Sequence, residues 1–67
     1  MMMPLTMAPV GQASKIQRVG GNDETKRFLA NLGFVVGSEV TVISAIVNIK
    51  DSRVAINQDM ARHIMVA

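Results

Sequence analysis

Between Phe28 and Val40 a helical pattern stops and a strand pattern starts, so the chain must turn from helix to sheet within a few residues. Phe28, Leu29 and Leu32 stand at i, i+1 and i+4, on one face of a helix, and Gly33 follows where a left-handed residue ends it. Gly37, Ser38 and Glu39 then mark a turn into Val40-Thr41-Val42-Ile43, whose branched side chains suit a pleated, half-buried surface. The period of the chain changes here from 3.6 to 2, and the remaining segments are expected to pack around this corner.

Sixty-seven residues make one small domain (1–67), with Met1-Met2-Met3 read as a ragged start. A chain of this size buries only about 60% of the surface its unfolded form exposes, so its core is limited. Without cysteine it has no disulfide, thiolate metal site or cysteine nucleophile, which leaves association as the support a small core calls for and fits a reducing compartment.

Seven basic and five acidic side chains give a net charge of +2, too little for a nucleic-acid footprint without a concentrated patch. Phe28 and Phe34 are the only aromatic residues, and core packing accounts for both better than base stacking does. The uncharged stretch 1–14 is interrupted by Pro4 and Pro9 and falls short of the roughly 20 apolar residues a spanning helix needs. No direct membrane insertion is expected.

Along the chain, Leu5, Met7 and Val10 are expected to tuck against the domain as a proline-stiffened arm. A first strand is predicted over 12–19, with Ile16 and Val19 inward. Gly20-Gly21-Asn22 ends it. This loop lacks the spacing and lysine of a phosphate loop, and Asp23 and Glu24 complement the helix dipole while repelling phosphate. The helix is predicted over 23–32, capped by Asn22 or Asp23, with Lys26, Arg27 and Asn31 outside. Strands follow over 39–44, 46–50 and 53–56, with a turn at Asp51-Ser52; then a helical turn capped by Asn57, with Met60, Ala61 and Ile64 inward, leads to a closing strand at Ile64-Met65-Val66. Short strands with tight turns point to a mainly β fold, a small antiparallel barrel of about five strands with one inserted α-helix.

No metal, cofactor or catalytic residue is assigned. His63 is the single histidine, and with Asp59 at i−4 it makes at most a weak pair; methionine thioethers suit copper(I) better than ferrous iron, and no activating geometry is visible around any nucleophile.

Three segments carry a family resemblance: Leu32-Gly33-Phe34-x-x-Gly37-x-x-Val40; Pro4-Leu5 with Ala8-Pro9-Val10-Gly11; and Ser52-Arg53-x-Ala55-Ile56-x-x-x-Met60-Ala61-x-x-Ile64-x-Val66. In this order and spacing they resemble the bacterial ferrous iron transport protein A (FeoA) family over nearly the whole chain. The resemblance implies the SH3-like form of the barrel and a cytoplasmic accessory protein of ferrous iron uptake, not an enzyme, that acts on the membrane GTP-binding transporter FeoB. The expected contact surface is the groove between helix and barrel, at Lys26, Arg27, Asn31, Leu32 and Phe34. Two other roles remain open: a regulatory module of an iron-responsive transcriptional regulator, and a direct GTPase activator using Arg27 or Arg53.

The chain departs from the family pattern at one point. Only Ala45 stands between the strand ending near Ser44 and the one starting near Ile46, and neither Ser44-Ala45 nor Ala45-Ile46 supplies the usual positive-φ residues of a hairpin. Two explanations are open: further turn residues that the sequence lacks, or a chain that runs straight through and exchanges strands with another copy as a homo-oligomer.

Overall fold

The computed structural model describes residues 1–44, 46–49 and 52–67. In chain order the elements are β1 (Met3–Pro4), a 3-10 turn (Leu5–Met7), β2 (Ala13–Val19), α1 (Asp23–Asn31), β3 (Glu39–Ile43), β4 (Ile46–Ile49), β5 (Ser52–Ala55), α2 (Gln58–Ala61) and β6 (Ile64–Val66). The strands form one antiparallel sheet in the order β1-β6-β2-β3-β4-β5. Among the described residues the sheet therefore has six strands where about five were expected, the addition being β1, and it curls like a barrel without pairing β1 to β5. Met3 pairs with Val66, so it belongs to the sheet and not to a ragged end.

β2 is shared between the two halves of the sheet. Its first half, Ala13 to Lys15, pairs with β3, and its second half, Ile16 to Val19, pairs with β6 across a register shift between Ile16 and Arg18. Such a shift bends a strand and lets one sheet fold over on itself. Ile16, Leu29, Phe34, Val40, Ile49, Ile64 and Val66 meet in the enclosed core with Leu5, Val47 and Ala61. Of the expected arm contacts only Leu5 goes in: Met7 and Val10 lie exposed, while Ala8 between them packs on the core and the arm meets the sheet through a bridge from Val10 to Val42 and the Gly11 N–H on the Val42 carbonyl.

The helix-to-strand corner forms as its sequence requires. The Asn22 side chain accepts the Thr25 N–H at 2.8 Å and caps α1. At the other end the Gly33 N–H donates to the Ala30 carbonyl at 3.0 Å and the Phe34 N–H donates to the Leu29 carbonyl at 3.0 Å, the paired bonds of a Schellman motif. Leu29 and Phe34, the two residues such a motif brings together, are both buried. Gly33 has φ 105°, and a Cβ there would meet only ordinary contacts at 3.9 Å, so its requirement is conformational. Gly33→Ala should therefore cost about 1 kcal/mol or slightly more, read as a lower midpoint in urea with an unchanged slope. The connector is tied to the sheet as the Ile16 N–H donates to the Ser38 carbonyl at 2.8 Å and the Gly37 N–H donates to the Ile16 carbonyl at 2.9 Å.

β3 and β4 pair within the one chain, from Val40↔Ile49 to Ile43↔Ile46, so the hairpin closes on itself and the chain does not run straight from β3 into β4. Ala45, Lys50 and Asp51, named above in the two turns and at the end of a strand, lie outside the described residues. Ser44 itself supplies the positive φ, at 58°, which a small polar residue tolerates at some cost. Ser44→Asn or Ser44→Gly should stabilise the hairpin by roughly 0.5 kcal/mol, seen as a small rise in thermal midpoint. Ser52, expected in a turn, is the first residue of β5 and pairs with Ile49.

Candidate functional site

One turn of α-helix advances 3.6 residues, so consecutive side chains point 100° apart. Leu29 is the fully buried residue of α1, with Leu32 half-buried beside it and packed on the core. Phe28 then falls at the margin of the buried stripe. The structure leaves it 48% exposed, against the core position expected from sequence. Asn22, Glu24, Arg27, Phe28, Asn31 and, across from α1, Met60 of α2 line a shallow groove whose floor is mainly apolar.

The five residues expected to form a contact surface divide accordingly. Arg27 and Asn31 line this groove, and Lys26 is exposed on α1 but outside the lining. Leu32 is half-buried against the core and does not line the groove. Phe34 is 1% exposed and cannot touch a partner; its position as the Schellman residue draws the ring into the barrel. Phe28 and Met60 were missed. The signal for Phe28 was present in its 100° offset from Leu29, whereas Met60 reaches the groove only through the placement of α2.

α2 is placed by its own cap: the Asn57 side chain accepts the Met60 N–H at 2.8 Å, which fixes the short helix with Ala61 buried and Met60 half-buried. The expected cap at Asn57 is therefore present. Arg62 and Asp59 form an exposed ion pair at 3.7 Å, an arrangement that contributes little to stability. The His63 carbonyl accepts the Gly20 N–H at 2.7 Å, which ties the end of α2 to the end of β2 beside the groove. Among the described residues no three His, Cys, Asp or Glu side chains come together to hold a metal. No helix among them is long and apolar enough to cross a membrane.

Two other depressions are present. A cleft lined by Leu5, Val42, Val47, Ile56 and Ala61 lies between the 3-10 turn, the β3–β4 hairpin and α2. A polar hollow on the outer face of the sheet holds Lys15, Glu39, Thr41 and Asn48, and the Asn48 Oδ1 there is buried without a hydrogen-bond partner among the described residues. Neither carries an exposed aromatic side chain. The groove at Phe28 does, with the opposite charges of Glu24 and Arg27 and the amides of Asn22 and Asn31 around it, an aromatic centre with a polar rim of the kind protein contacts use.

A sequence model of the FeoA domain matches residues 3–67. No curated protein matches the chain significantly. Among solved structures, an iron uptake regulatory protein, FeoA, superposes with a TM-score of 0.91 at 22% identity, covering 100% of this chain and 96% of that one. The iron(II) transport protein A of Clostridium thermocellum gives 0.87 at 23% identity over 97% of this chain and 40% of that one. These two likenesses show the fold. A FeoA from Stenotrophomonas maltophilia, crystallised with zinc and described as an SH3-domain protein suggested to activate ferrous iron transport, gives 0.84 at 28% identity over 97% of this chain and 89% of its own.

Proposed function

The chain belongs to the FeoA domain family, small SH3-like accessory proteins of ferrous iron transport, and from that membership we propose that it acts in the cytoplasm by binding the membrane GTP-binding transporter FeoB. Ferrous iron is then the transporter's cargo, and the accessory protein contributes a contact and no catalysis of its own. The observation that carries this reading is Phe28, an aromatic side chain left half in solvent in a groove between two helices. Burying it against a partner removes apolar surface from water, at about 25 cal/mol per Å². Arg27 and Asn31 at the rim give the contact direction, and Lys26 adds positive charge on the same helix.

Chemical-shift mapping tests the surface. On adding the cytosolic part of the transporter to isotope-labelled protein, the largest amide changes are expected at Arg27, Phe28, Asn31 and Met60. Changes concentrated instead at Lys15, Glu39 and Asn48 would move the contact to the outer sheet face and refute this assignment.

A further inference from the structure

The two edges of the sheet are not equivalent. β1 is two residues long and ends in Pro4, which cannot donate to a further strand, so that edge is blunt. β5 is four residues long, with no proline and a single charge, Arg53, and among the described residues it pairs only with β4.

Which groups of β5 face outward follows from the ladder. The Val42 carbonyl accepts the Gly11 N–H at 2.8 Å, on the side away from β4, so Val42 and Val47 are a pair that exchange no backbone bonds. The backbone groups of Val47 then face β5, where Val47 pairs with Val54. Alternation turns the N–H and C=O of Arg53 and Ala55 to the open edge.

We propose that this edge pairs antiparallel with the same edge of a second copy of the chain, centred on Val54. In that register Arg53 of each copy stands opposite Ala55 of the other, and these are the residues whose amides and carbonyls face outward, giving about four inter-chain hydrogen bonds. Val54, half-buried, meets its symmetry mate on the core side. No like charges face each other, whereas a register centred on Arg53 would set two guanidinium groups directly opposite and form fewer bonds. The Arg53 stem of one copy also covers exposed Ala55 of the other, beside Ile46, which is 42% exposed.

Sedimentation equilibrium up to millimolar concentration tests the pairing. The wild-type chain is expected to show a concentration-dependent dimer. Ala55→Lys sets a new positive charge opposite Arg53 at both symmetry-related positions and should weaken the dimer roughly fivefold to twentyfold. Adding Arg53→Glu to Ala55→Lys should restore it, since each cross-strand charge pair is worth about two- to fivefold. Both positions are exposed, and thermal melts confirm that each variant stays folded. A strictly monomeric wild type overturns the proposal, as does a dimer insensitive to Ala55→Lys, or one that the second substitution fails to rescue.

Discussion

Replacing Phe34 with alanine should leave much of the protein unfolded at physiological temperature. The ring is almost wholly buried and is the largest side chain of the core, and its own N–H closes the helix-stop motif on Leu29. Truncating a buried phenylalanine costs about 3–5 kcal/mol, because transfer free energy is lost and a cavity remains. A domain this small starts near the lower end of the usual range of about 5–15 kcal/mol, so the loss takes most of what it has. At roughly 4–8 °C per kcal/mol for a domain of this size, the thermal midpoint should fall by about 12 °C or more. Phe34→Leu keeps most of the volume and should cost less than half as much. Circular dichroism melts of the two variants decide the matter: equal, small losses would mean that the core does not depend on this ring.

Phe28→Ala is expected to do the opposite, sparing the fold and damaging binding. The side chain is half exposed at the margin of the α1 stripe, so its removal leaves Leu29, Leu32 and the barrel in place. In the proposed complex it is the aromatic anchor, and truncating an anchor costs about 2 kcal/mol or more, a loss of roughly thirtyfold in affinity. Arg27→Ala, at the rim, should cost less and act mainly on the association rate, with an effect that shrinks as salt rises. Titration of each variant, beside its melting curve, separates these roles. Loss of binding in Phe28→Ala together with a large drop in melting temperature would assign the ring to the core instead.

The contrast between the two phenylalanines shows what the sequence could and could not convey. The helix stop at Gly33, the caps at Asn22 and Asn57 and the alternating strands were all legible, because each rests on local backbone requirements that name their residue types. β1 was not, since two residues carry no period and Met3 joins the sheet only because β6 arrives beside it from the far end of the chain. Ser44 was misjudged for a related reason: the positive φ it adopts is unfavourable taken alone and is imposed by the pairing of Ile43 with Ile46. Of the residues expected at a contact surface, Arg27 and Asn31 line the groove, as their polarity on the outer side of the helix suggests. Of the two phenylalanines expected in the core only Phe34 is there, because apolar residues at a helix margin and just past its end look alike until the packing of the barrel chooses between them.

Contact with the transporter through the α1 groove is the central claim, and calorimetric titration of the unmodified protein into the transporter's isolated cytosolic domain, with and without a GTP analogue, addresses it most directly. Saturable one-to-one binding that Phe28→Ala weakens is the predicted result. Equal heats for the unmodified protein and the Phe28→Ala variant, or saturable binding of ferrous iron with no response to the domain, would contradict it.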